Sequence, residues 1–217
     1  MNILIVDDHP ITGEGYKNAI ERVVTSERSN FQLAYDCKEG YEKILEGEAS
    51  QEIFDLAIID YGLPSYTEQK LLSGCDLGMF LKKIMPDCKI IMITAHTEVI
   101  IVYDIYKRFS PDGLVIKNDI TPHNLPNIID EVMDGGQYLS VTVKNCIKEI
   151  WKKDLMVEDF NRQILFYLTK GYKVKELEGV ISLAATTIQK RIINMKKAFD
   201  VTDDSNLIKE AIKQGFI

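Results

Sequence analysis

The first 120 residues of the chain alternate between compact apolar runs and longer stretches of mixed polarity. Five runs stand out: ILIV (3–6), FQLAY (31–35), FDLAIID (54–60), KIIMIT (89–94) and GLVIK (113–117). Each is strand-length, and apolar side chains at consecutive positions mean that both faces are buried. The stretches between them have helical spacing. Leu71, Leu77, Leu81 and Ile84 fall near one stripe of 71–85, and 97–109 and 122–134 behave alike. Alternating helices and doubly buried strands predict an α/β domain, a doubly wound parallel sheet of five β/α units. Ligands bind such sheets outside the carboxyl ends of the strands.

Further along, the rhythm changes. The loop at 61–74, YGLPSYTEQKLLSG, is long and mixed, and such loops carry a contact surface or are mobile. GGQYLS (135–140) punctuates the end of the fifth helix, and 141–156 reads as a partly helical linker around Trp151. From 158 onward the spacing is helical throughout, at about 158–170, 174–181, 184–198 and 204–214, with no room for a strand. The chain therefore reads as a domain at 1–134, a linker at 135–156 and a small all-α domain at 157–217.

Charge sharpens that division. The net charge is -7, yet residues 1–150 hold 14 Lys and Arg against 24 Asp and Glu, whereas 151–217 hold 12 against 9. Only the second part is suited to approach a polyanion. Apolar stretches such as IIMI (90–93) fall far short of the roughly 18 residues that span a bilayer. Met1 leads directly into a strand, so a cytoplasmic protein is expected. The four cysteines form no CxxC pair and the three histidines are scattered, so neither a disulfide framework nor a zinc site is suggested.

The chemistry lies where the strands stop. The first runs into Asp7 and Asp8, two adjacent carboxylates at the mouth of a core. There they repel one another unless a cation joins them, or one of them caps the helix that Pro10 begins. Strand three ends at Asp60, strand four at Thr94 and strand five at Lys117. Singly, Asp60 reads as a turn residue, Thr94 as a cap and Lys117 as a surface lysine. Jointly they open on one edge. Three carboxylates, a hydroxyl and an ammonium suit Mg²⁺-assisted phosphoryl transfer to an aspartate, with Asp8 and Asp60 holding the ion and Asp7 acting through water.

VDDHP, IIDYGLP with Pro64 four residues after Asp60, MITAH and VIKND together resemble the receiver domain of two-component response regulators, over about residues 1–125. The resemblance implies a (βα)5 flavodoxin-like fold with Asp60 as phosphoacceptor. It implies Asp7 and Asp8 as the acidic magnesium pair, Thr94 as the switch hydroxyl, Lys117 as the phosphate-binding lysine and Ala95 as the small residue beside the phosphate. Two positions depart from the family. Leu114 stands where many receivers carry an aromatic residue that turns inward on activation, and the loop between Pro64 and Gly74 is several residues longer.

The tail reads as helix, turn, helix. Ile188, Ile192, Met195 and Phe199 form one apolar stripe, and the other face offers Thr186, Gln189, Lys190, Arg191, Asn194 and Lys197. Residues 184–198 contain four basic residues and no acidic one, a composition suited to a major groove as well as to an ordinary solvated face. Residues 157–217 resemble the helix-turn-helix domain of the LuxR/FixJ (NarL-type) class. The first helix departs from it at Phe160 and Asn161, and the recognition helix at Arg191. The resemblance implies 174–181 as positioning helix, 184–198 as the groove helix with Lys175 and Thr187 joining the DNA contacts, and 204–214 in dimerisation.

These readings converge on a phosphorylation-controlled transcription regulator, phosphorylated on Asp60 with Mg²⁺ bound. Its expected partners are a sensor histidine kinase or phosphotransfer protein, double-stranded DNA and a second copy of itself, without a membrane. The main alternative is a phosphate-independent regulator, bound to DNA or a protein, whose receiver serves as a dimerisation module. An enzyme of the aspartyl-phosphatase kind is disfavoured because Gly62 stands where a second catalytic Asp is needed.

Overall fold

Each apolar run becomes a strand of one sheet: β1 (Asn2–Val6), β2 (Asn30–Ala34), β3 (Leu56–Asp60), β4 (Lys89–Thr94) and β5 (Gly113–Ile116), joined by a sixth, β6 (Tyr138–Leu139). The computed structural model describes residues 1–22, 29–214 and 216–217, and of 151–157 the backbone only. Among these the sheet order is β2-β1-β3-β4-β5-β6 and every pairing is parallel. The reversal of order around β1 opens a crevice at the carboxyl ends of β1 and β3, where doubly wound sheets bind ligands.

Period-two alternation assigns the two faces. Ile3, Ile5, Ile58, Ile91, Ile93 and Val115 point one way and pack with Ala19 and Ile20 of α1 (Pro10–Glu21) and Leu125, Ile128 and Val132 of α5 (Leu125–Met133). Leu4, Val6, Ala57, Ile59, Ile90 and Met92 point the other way and are equally buried. Their cover includes α2 (Cys37–Ser50) and α3 (Gly74–Ile84), where Gly40 sits against Val6 and Leu77, and Gly78 against Met92. Helix α4 (Val99–Arg108) follows β4 and buries Val102 and Ile105.

The five expected β/α units are present, and the structure adds one short strand to them. Tyr138 and Leu139 pair in parallel with Gly113 and Leu114, so the segment read as punctuation adds a strand. Nor is 61–74 an open loop. Tyr66 and Leu71 pair across a tight hairpin around Thr67–Gln69, Leu63 and Leu71 are buried, and Gly74 N–H closes the base onto the Tyr61 carbonyl at 3.0 Å.

The chain divides into two compact units, Met1–Lys144 and Asn145–Ile217, with the division inside α6 (Val141–Val157). The expected partly helical linker is thus continuous helix over that span, while the side chain of Trp151 lies outside the described residues. The second unit holds α7 (Asp159–Thr169), α8 (Val174–Leu177), α9 (Ala185–Phe199) and α10 (Asp204–Lys213). Its core joins Ile164, Leu165 and Leu168 to Leu177, Ile188, Ile192, Met195, Phe199, Leu207 and Ala211. Helix α8 stops four residues earlier than the spacing suggested, and turns carry the chain to buried Ile181. All four cysteines are buried, and none of them is in a disulfide. No helix among the described residues is long and apolar enough to cross a membrane.

Candidate functional site

The residue that follows β1 is drawn into the crevice. Asp7 is 2% exposed, and its Oδ1 accepts the His9 N–H at 2.9 Å. Asp8 sits at the rim, where Oδ1 meets His9 Nδ1 at 2.7 Å. Neither aspartate caps α1: His9 is the N-cap residue, without a side-chain cap, and Pro10 begins the helix. The paired carboxylates therefore bond locally to His9 but do not cap the helix.

Lys117 gathers the site. Its Nζ lies 3.0 Å from Asp60 Oδ1 and 3.1 Å from Asp7 Oδ2, so one ammonium bridges the ends of β1 and β3. Asp60 is buried, and its Oδ2 accepts the Gly62 N–H at 3.1 Å. Burial pushes the Asp60 carboxyl above its ordinary value, and the hydrogen bond and charge of Lys117 reverse this only in part. For Lys117 burial acts downward, but hydrogen bonding to Asp60 and then Asp7 outweighs it and holds the ammonium above its ordinary value. At the end of β4, Thr94 is 1% exposed and its hydroxyl accepts the His96 N–H at 3.0 Å. Leu114 is fully buried beside Met92 in the β4–β5 register.

The donor set suits a hard divalent cation. Asp7 Oδ2 is buried, and its 3.1 Å contact with the Lys117 ammonium does not use all of its lone pairs. Asp7, Asp8 and His9 place ligating atoms within 4.8 Å of one another. Two carboxylates at a crevice mouth with room for waters and phosphate oxygens are what Mg²⁺ takes. Asp60 stands outside that close group, with Oδ1 turned to Lys117.

In the second unit, Thr186, Thr187, Gln189, Lys190, Asn194 and Lys197 are exposed along α9, and Lys175 is exposed on α8. Arg191 is placed otherwise. It is half-buried and turned inward, with Nη1 paired to Glu158 and hydrogen-bonded to Asn161 Oδ1 at 3.1 Å, its guanidinium over the Phe160 ring. It belongs to the packing of α7 on α9 rather than to the free face on which the sequence placed it.

Three features have only faint traces in the sequence. A Cβ on Gly74 would lie 1.8 Å from the Asp60 carbonyl oxygen, so α3 begins in contact with the backbone of Asp60. Asp119, in the turn Lys117–Asp119, accepts the Thr142 N–H at 3.1 Å and the Thr142 hydroxyl at 3.0 Å, fixing the first turn of α6. Ile193 stands 52% exposed on the polar face of α9. The only hints are a glycine after the long loop, an Asp two residues past the lysine, and an apolar residue off the stripe.

Residues 3–129 match the family model for the response regulator receiver domain. The chain is 25% identical over 204 residues to a nitrate/nitrite response regulator protein homolog of Haemophilus influenzae, covering 93% of this chain and 91% of that one. The RcsB response regulator of Salmonella typhimurium superposes with a TM-score of 0.58 at 21% identity, covering 98% of both chains. An RcsB–DNA complex gives a TM-score of 0.56 at 20% identity, again over 98% of both.

Proposed function

The chain belongs to the response regulator receiver domain family, and from that premise we propose that it is a phosphorylation-controlled, DNA-binding transcription regulator with Asp60 as its phosphoacceptor. One observation carries the assignment: the Lys117 ammonium lies 3.0 and 3.1 Å from two buried carboxylates at the switch point of the sheet. A carboxylate oxygen of Asp60 bonds to phosphorus as the donor's P–N bond to a kinase histidine, or its P–O bond to an acyl group, breaks. The electron pair leaves with the imidazole or carboxylate. Mg²⁺, held by Asp7 and Asp8 with Asp60 turning toward it, would neutralise charge between acceptor and donor.

Lys117 then exchanges a carboxylate partner for a phosphoryl oxygen, and Thr94 releases the His96 N–H to turn toward another. Each interaction is stronger with the phosphorylated form, so together they bias an existing equilibrium. Asp119 feeds the movement of the Lys117 turn into the start of α6. RcsB, whose fold this chain shares, has been solved with DNA, and the exposed Lys, Gln, Asn and Thr face of α9 is the surface offered here. It would act as a dimer reading two half-sites in a cytoplasmic setting, without catalytic turnover of its own.

The test is intact mass after incubation with acetyl phosphate, with and without Mg²⁺, for wild type and Asp60→Asn. One Mg²⁺-dependent phosphoryl adduct, absent from the variant, is the expected result. No adduct from acetyl phosphate or from any histidine kinase tried would refute the assignment. A second reading, a phosphate-independent regulator with a dimerising receiver, draws support from Leu114, which is sealed in the core and has no ring to swing. Equal DNA affinity of wild type and Asp60→Ala under phosphorylating conditions would favour it.

A further inference from the structure

Ile193 is out of place by the rule that built α9. The apolar stripe of that helix is Ile188, Ile192, Met195, Ala198 and Phe199, all buried in the second unit's core. Ile193 lies off it, 52% exposed. At helical spacing its neighbours are Gln189 and Lys197 one turn away on either side and Lys190 three residues before, all exposed. It is thus an apolar side chain inside a polar, acid-free face. A free helix face gains nothing from a water-exposed isoleucine there, and its branched side chain is a weaker helix former than the lysine or glutamine beside it.

Resting on the DNA-binding reading above, we propose that Ile193 is a specificity residue that packs against the C5-methyl group of a thymine in the major groove. Within that groove the thymine methyl is the apolar feature of the base edges, and apolar side chains are its complement. The flanking residues fit. Gln189 and Asn194 carry amides able to make paired hydrogen bonds with adenine, and Lys190 and Lys197 provide charge for phosphates or guanine. The half-site should therefore contain an A·T step read jointly by an amide and Ile193.

The methyl group itself supplies the probe, because deoxyuridine pairs like thymine and lacks only that group. The full chain, with and without acetyl phosphate and Mg²⁺, would select duplexes from a random-sequence library, and each thymine of the enriched site would be replaced in turn by deoxyuridine. Fluorescence anisotropy would then compare wild type, Ile193→Val and Ile193→Ala. Burial of one methyl predicts about a fourfold loss of wild-type affinity at one thymine per half-site. The loss should persist in Ile193→Val and vanish in Ile193→Ala, whose exposed position leaves folding intact. A selected site with no such thymine, or one equally sensitive in Ile193→Ala, would overturn the inference and leave DNA binding standing. Enrichment of no duplex under either condition would instead overturn the DNA-binding reading, and this inference with it.

Discussion

Replacing Asp60 with Asn should stabilise the protein. The carboxylate is 6% exposed, shares the Lys117 ammonium with Asp7, and burial pushes it above its ordinary value, so folding works against its charge. An imperfectly compensated buried charge costs about 2 kcal/mol. The amide oxygen can keep Lys117 or the Gly62 N–H but not both, which returns about 1 kcal/mol. The net gain is about 1 kcal/mol, or roughly 2–4 °C in melting temperature for a domain of this size. The sign also fixes the pH dependence. A carboxyl whose folded value is raised is penalised above that value, where it is charged in both states, and is not penalised below its unfolded value. The advantage of the variant is therefore present at about pH 7 and lost by about pH 3, below the ordinary value of 3.8. Thermal unfolding followed by circular dichroism in EDTA at both pH values measures it. A variant that melts at or below wild type at neutral pH, or an advantage that persists in acid, would refute the reasoning.

Other consequences are as direct. Gly74→Ala forces a methyl group into the Asp60 carbonyl and should cost about 3 kcal/mol in urea unfolding while slowing phosphorylation by acetyl phosphate. Arg191→Ala leaves Glu158 and buried Asn161 without their guanidinium and should destabilise the second unit by about 2 kcal/mol, measured by the melting of that unit. Lys190→Ala, by contrast, should leave melting unchanged and reduce the salt dependence of DNA binding by about one counterion, read from titrations at several salt concentrations. For Asp112 burial acts upward, but hydrogen bonds from the Ile90 N–H and Lys82 and Lys89 hold it below its ordinary value of 3.8. Its contribution is present above that value and lost as pH falls through the lower folded one, so Asp112→Asn should cost about 1 kcal/mol at neutral pH and nothing in strong acid.

The parts legible from sequence are those where a pattern repeats. Doubly buried strands write unbroken apolar runs, and polar residues at the ends of several of them point to one edge, so Asp7, Asp60 and Lys117, which the structure brings together, and Thr94 at the end of β4 stand out from the sequence alone. Strand β6 does not, because two residues are too few to show a period. Arg191 was misplaced for a related reason. It sits on the seam between the stripe of α9 and its free face, and only the arrival of Glu158 and Asn161 from another part of the chain decides which way it turns. The hairpin within 61–74 depends on a Tyr66–Leu71 pairing that no periodicity announces.

That hairpin separates the length of the chain from the geometry of the site. Its base is fixed by the bond between the Tyr61 carbonyl and the Gly74 N–H, and its tip, Thr67 to Lys70, is exposed. Once such a loop is closed, each doubling of its length adds only about 0.6 kcal/mol of closure entropy. Residues inserted at the tip would be held away from Asp60 by the pinned stem. The extra length of this loop is then a permissive site for grafting, where a fluorophore or an epitope would report on the molecule without disturbing the chemistry a few residues away.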